Sequence, residues 1–164
     1  MAFDKIRLFP DPILRKKSEK ISAFDASLER IVRELERTMK GQPHGIGIAA
    51  PQIGIPKRIA LVDVSSRIPN AGRLVLINPE ILELLDARMR REGCMSLPEY
   101  TADVKRYQIA RVRWQDLAGE VHEKVCQGIE AVCIQHEVDH LDGILFIDRV
   151  VSLKRDIIPR PRSA

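Results

Sequence analysis

The stretch CIQHEVDHLDG, residues 133–143, holds His136 and His140 four positions apart, with Glu137 beside the first. On an α-helix that spacing projects both imidazoles from one face, about one turn apart. Ile129, Val132 and Cys133 continue the same side, while Ile134, Val138 and Leu141 lie along others. A helix apolar nearly all round is buried in its domain, and the pattern predicts one from about Gly128 to His140, ending near Gly143. Histidines and a glutamate in such a helix are costly to bury unless they are hydrogen-bonded, paired or bound to metal. The plainer alternative is two core histidines satisfied by backbone carbonyls.

A catalytic metal site takes three protein ligands and leaves one position for water. No histidine, cysteine or glutamate follows His140. Gly143 fits the glycine of the protease pattern HExxHxxGxxH, but Phe146 stands where its third histidine belongs. A third ligand must therefore come from upstream. His44 sits beside Pro43 in a glycine-rich loop, and His122 lies in an alternating strand; both also read as exposed histidines. Cys126 and Cys133 are near the helix, where small buried cysteines usually only pack. Cys94 stands in EGCMSLP (92–98), where Gly93 permits close approach of the backbone to a ligand. From the residues alone the choice stays open.

The rest of the chain fits one domain. Its 164 residues can bury a sizeable core, and 45% apolar with 30% charged residues is ordinary globular composition. There is no run of eighteen apolar residues to cross a membrane and no signal-peptide pattern at the start, so a cytoplasmic location is expected. Three cysteines without a CxxC pair suggest no disulfide framework. A net charge of +4 is interleaved with acids, and 4% aromatics are too few for stacking on single-stranded nucleic acid; no DNA partner is expected.

Leu28, Ile31, Val32, Leu35 and Met39 recur at helical spacing, with Asp25 as N-cap and Gly41 as stop. GQPHGIGIAAPQIGIP (41–56) must be largely non-helical. Strand-like runs follow at 58–64, 74–77 and roughly 102–114, and Gly119 turns a hairpin into EVHEKVCQ (120–127). Helix, then strands, then helix argues for an α+β domain.

GIGIAAPQIG (45–54), EGCMSLP (92–98) and QHEVDHLDG (135–143) resemble the three signature motifs of the peptide deformylases, in that family's order and at compatible separations. RLVLINPEIL (73–82) resembles the segment before the second motif, so the likeness runs from Phe3 to about Leu153. The resemblance implies a deformylase-like α+β fold, with antiparallel or mixed sheets around a buried central helix carrying HExxH. A single catalytic domain, 1–153, would precede a short basic, proline-containing tail, 154–164.

It further implies Cys94, His136 and His140 as ligands of one divalent ion, iron(II) in the cell, with zinc, nickel or cobalt also suited to these donors. Glu137 is implied as the general base. Gln52 and the Met95 backbone N–H would be donors to a developing oxyanion, with Gly47 in the same catalytic set. Gly45, Ile46 and Gly47 would lie against an extended peptide, and Ile46, Val132 and Cys133 would line a methionine pocket. Glu92 would border the substrate site and support the cysteine loop or a histidine.

The implied reaction removes the formyl group from N-formylmethionyl nascent peptides, releasing formate, in a monomer with transient ribosome contact at most. The alternatives are a zinc endopeptidase and a non-catalytic paralogue that binds peptide or metal. Two departures stand out. Tyr100-Thr101 occupies a place where many members carry a basic residue, which implies altered contacts beyond methionine. The two prolines after residue 158 cannot extend a long C-terminal helix, although Lys154, Arg155, Arg160 and Arg162 could attract RNA weakly.

Overall fold

The computed structural model describes residues 6–161; Phe3 and Arg162 lie outside them. The first helix, α1, spans Ala26–Lys40. Its N-cap Asp25 accepts a hydrogen bond from the Ser27 N–H at 2.9 Å, satisfying a donor that has no partner within the helix. Gly41 ends it, as expected from the sequence. The face carrying Leu28, Val32, Leu35 and Met39 packs on Ile48, Ile59, Leu61 and Ile77.

Six strands follow: β1 (Gly47–Ala49), β2 (Ile59–Asp63), β3 (Arg73–Cys94), β4 (Leu97–Gln115), β5 (Val121–Gln127) and β6 (Ile157–Pro159). Between β5 and β6 lie α2 (Gly128–Leu141) and the single-turn α3 (Leu153–Asp156). The strands join in the order β1-β2-β3-β4-β5, with every pairing antiparallel. Behind β4 the sheet is shared: β5 pairs with its residues 109–115 and β6 with 100–102. The architecture is the expected α+β.

β3 and β4 are longer than their apolar runs. Pro79 lacks the N–H that a ladder needs, and the register shifts between Ile77 and Glu80, with Asn78 at φ 50°, so the strand passes through it. Further on, residues 85–89 are exposed in succession, so no period of two marks them. Charge pairs hold this arm instead: Arg91 meets Asp103 at 2.7 Å, and Arg111 lies between Glu83 at 3.5 Å and Glu123 at 3.0 Å.

The centre of the molecule is α2. From Glu130 to Leu141 every residue except His136 is buried, and the helix extends one residue past the expected end. Ala131, Cys133, Ile134, Val138 and Leu141 share one core with Ala60, Val62, Leu76, Ala110 and Val112 of the sheet. Beyond the helix, Leu145 and Phe146 join Leu14, Leu97 and Val104 in another cluster. Gly143 makes that exit possible: its φ is 73°, and a Cβ there would collide with the Arg15 carbonyl.

Ile134 is fully buried in the core between α2 and the sheet. Ile134→Ala is expected to cost about 2–5 kcal/mol of unfolding free energy, read by urea denaturation. A loss below about 1 kcal/mol would show that α2 is not packed there as described.

Candidate functional site

Cys94 ends β3, and a two-residue turn of Met95 and Ser96 leads to Leu97, its partner across the hairpin. The hairpin lies over α2. Cys94 Sγ is 3.3 Å from His140 Nε2, and Cys94, His136 and His140 offer ligand atoms all within 4.8 Å of one another. Glu92 engages His136 at Nδ1, which leaves Nε2 of that ring for the centre. Phe146, the residue in the place of the third histidine of HExxHxxGxxH, stacks beside the His136 ring with centroids 6.4 Å apart.

Glu92 is itself held. Arg106 donates to it from Nε at 3.0 Å and Nη2 at 2.7 Å, and from Nη1 to Asp139 on α2 at 2.7 Å. Arg149 grips the same Asp139 at 2.7 and 3.0 Å. Arg106 is only 3% exposed, so this is an ion chain through the core.

Burial opposes charge on Cys94, but the imidazoles of His140 and His136 outweigh it and hold the thiol well below its ordinary range. Burial likewise opposes the His136 cation, and Cys94 and Glu92 overcome that to raise it well above its usual value. Burial opposes the Glu92 carboxylate too, yet His136 and Arg106 bring it down to about 2. For Glu137 burial wins, against the pull of both imidazoles, and the carboxyl is pushed up to about 7. A thiolate beside two imidazoles is a donor set that fits a divalent transition-metal ion. Two buried atoms of this group, His140 Nδ1 and Glu137 Oε2, find no hydrogen-bond partner among the described residues.

These groups border a cleft of about 510 Å³. Every site residue expected from the sequence lines it except His140, which is buried. Gly45, Ile46 and Gly47 form one wall. A Cβ on Gly47 would lie 2.5 Å from Glu137 Oε1 and 2.6 Å from Cys133 Sγ, so only glycine lets β1 come this close to α2. The Cys133 thiol points at the Ile46 carbonyl, 3.5 Å away. Gln52 accepts from the Ala49 N–H at 3.0 Å, which turns its NH2 toward Ser96 Oγ at 3.1 Å and Cys94 Sγ at 3.6 Å. Met95 and Val132 complete the lining.

The other upstream candidates lie apart from this group. His44 lines the cleft but is not in the metal-ligating cluster. His122 bonds Asp116 at 2.7 Å and stacks on Trp114. Cys126 is buried in the core between α2 and the sheet.

Reading the sequence missed Ser96, whose N–H reaches Cys94 Sγ at 3.4 Å, and the chain of Arg106, Asp139 and Arg149. A signal for Arg106 existed: Ala102, Val104, Ala110, Val112 and Trp114 are buried at alternate positions of β4, and Arg106 falls on that inward phase.

The family model described as polypeptide deformylase matches residues 3–156. The peptide deformylase of Mesorhizobium japonicum is 42% identical over 159 residues, covering 96% of this chain and 90% of that protein. That of Heliobacterium modesticaldum is 45% identical over 150 residues, covering 92% and 95%. Among solved structures, the peptide deformylase from Thermotoga maritima superposes with a TM-score of 0.83 at 38% identity, covering 90% of this chain and 97% of that one. The one from Synechococcus elongatus in complex with actinonin gives 0.82 at 39% identity, covering 90% and 78%.

Removing Arg106 would leave the buried Glu92 with His136 alone and the buried Asp139 with Arg149 alone. Arg106→Leu should destabilise the protein by about 3–5 kcal/mol in urea denaturation. An effect under about 1 kcal/mol would mean that neither carboxylate depends on it.

Proposed function

The chain belongs to the polypeptide deformylase family, and on that premise we propose that it hydrolyses the formyl amide of N-formylmethionyl peptides, giving formate and a free amino terminus. The observation that carries the reading is the gathering of one cysteine, two histidines and a glutamate, one of whose oxygens has no hydrogen-bond partner among the described residues, beside a single cleft. Cys94, His136 and His140 would hold one divalent ion, iron(II) by preference, although zinc, nickel or cobalt suit the same donors. Bound there, such an ion would supply Lewis acidity to a water at neutral pH.

The protein's own groups do the rest. Glu137 takes a proton from the attacking water and returns it to the leaving amine; a carboxyl pushed up to about 7 is suited to both transfers. As the formyl carbon becomes tetrahedral, charge develops on its oxygen, and the Gln52 NH2 and the Met95 N–H donate to it. The Ala49 N–H bond keeps the Gln52 amide in the donating orientation.

β1 is the last strand of the sheet on its side, so one edge is open for an extended peptide to pair along Gly45, Ile46 and Gly47. Ile46, Val132 and Cys133 offer the methionine side chain an apolar wall. Burial and the nearby Glu137 push the Cys133 thiol well up, so it stays neutral and packs as a small apolar group.

The substrates are nascent peptides, met by a cytoplasmic monomer with residues 1–153 as its catalytic unit. Among the described residues no helix is long and apolar enough to cross a membrane. Of the basic residues near the C-terminus, Arg155 is held by Asp156 at 2.8 Å and Arg162 lies outside the described residues, which leaves Lys154 and Arg160 for any passing contact with ribosomal RNA.

Metal-loaded protein kept from oxygen should release formate from formyl-Met-Ala-Ser, and absence of formate from such a preparation would refute the reaction. Glu137→Ala is expected to retain metal by elemental analysis while losing most turnover; activity equal to the unaltered protein would remove Glu137 from the role of base. Gln52→Ala should lower kcat by roughly 100- to 1000-fold with metal content unchanged.

A further inference from the structure

Arg160 stands at the cleft although it lies far along the sequence from every motif. β6 brings it there. Ile157, Ile158 and Pro159 pair with Ala102, Thr101 and Tyr100, and the Arg160 N–H then bonds the Glu99 carbonyl at 2.8 Å. Across the three strands Ile158, Thr101 and Gly93 are aligned, so the alternation of β-strands puts Arg160 on the Gly93 face. Gly93 has no side chain to occupy that face. The Arg160 guanidinium lies where a Cβ on Gly93 would project.

Four arginines line the cleft, namely Arg67, Arg90, Arg91 and Arg160. Asp103 neutralises Arg91 at 2.7 Å, and Arg90 donates to Gln108 at 3.3 Å. Arg67 and Arg160 have no ion pair among the described residues and are exposed. The carboxylates in the lining do not compensate them: Glu92 is committed to Arg106 and His136, and Glu137 is buried beside Gly47. Glu99, across from Arg160 on β4, is outside the lining and forms no ion pair with it. Among the described residues the rim of the cleft therefore carries two cations without an ion pair, and Arg160 is the one seated over Gly93, the residue before Cys94.

Resting on the reaction proposed above, we propose that Arg160 is a specificity-determining residue that binds a substrate carboxylate beyond the formylated methionine. The carboxylate is either an acidic side chain two residues on or the free C-terminus of a short formyl peptide. An exposed guanidinium keeps its water, so the contact is modest and acts on KM more than on kcat.

The test compares kcat/KM on formyl-Met-Ala-Glu-amide, formyl-Met-Ala-Gln-amide and formyl-Met-Ala-Gln with a free carboxylate, using the metal-loaded protein, Arg160→Gln and Arg160→Glu. The unaltered protein should favour the carboxylate peptides over the neutral amide by about two- to fivefold, through KM, at low salt. The preference should shrink with added salt, approach one in R160Q and invert in R160E. Whichever carboxylate peptide carries the preference identifies the source. Equal ratios in all three proteins would overturn the assignment. Isothermal titration calorimetry of the same unlabelled peptides with metal-loaded Glu137→Ala, with and without Arg160→Glu, separates this inference from the reaction itself. If no peptide is turned over, the reaction falls, and charge-dependent binding that R160E abolishes still upholds Arg160.

Discussion

Burying α2 depends on Arg106. A helix that takes Glu130, Gln135, Glu137, Asp139 and His140 into the interior cannot be held by apolar contact alone. Arg106 reaches from the inward face of β4 to Asp139 on the helix and to Glu92 on β3, tying three elements with one guanidinium. The planar fork suits this task because it satisfies two carboxylates at fixed angles, where an ammonium would not. Once Glu92 is anchored, the rest of the centre follows from two repeats that nearly coincide. Residues two apart on a strand lie on one face about 6.6 Å apart, and residues four apart on a helix lie on one face about 6 Å apart. Glu92 meets His136, and Cys94 meets His140. The thiol reaches the second imidazole because the carboxylate has already met the first.

The opposite wall depends on missing atoms. Gly47 leaves the volume that Glu137 Oε1 and Cys133 Sγ occupy, so an edge strand can lie against the helix at the place where its polar side chains emerge. The consequence is chemical as well as steric. Close backbone excludes water from Glu137, and that burial is what pushes its carboxyl up to about 7. The same glycine sits where an extended peptide would pair, so access and proton affinity have one cause.

Much of this was legible before the structure, and what was not has identifiable reasons. α1 carried a cap and a periodicity that decided it, α2 was marked by being apolar nearly all round, and the three motif segments converge on one cleft. The long arm of β3 was invisible because solvent touches it on both faces, which removes the alternation that marks a half-buried strand. Arg106 was missed because one charged residue in an apolar phase looks like noise until its two partners, 14 and 33 residues away, are known to face it. The prolines near the end read as a stop to helix, which they are. Yet Pro159 ends a short strand on β4, where the missing N–H interrupts no inner ladder. That pairing, unmarked in the sequence, is what carries Arg160 to the cleft.

The cleft thus has two electrostatic regimes. At its base, Cys94, Glu92, Glu137 and the histidines are desolvated, so each charge acts strongly on its neighbour and is fixed by it. Changing any of them disturbs the others, because each proton affinity there is a joint property. At the rim, arginines stay in water and interact weakly, so their positions can change without disturbing the base. Such a division leaves the chemistry rigid and the choice of peptide adjustable. It also gives the residue just past the last strand, Arg160, a place at the cleft without contact to the buried groups. Its charge needs only the space that Gly93 leaves open.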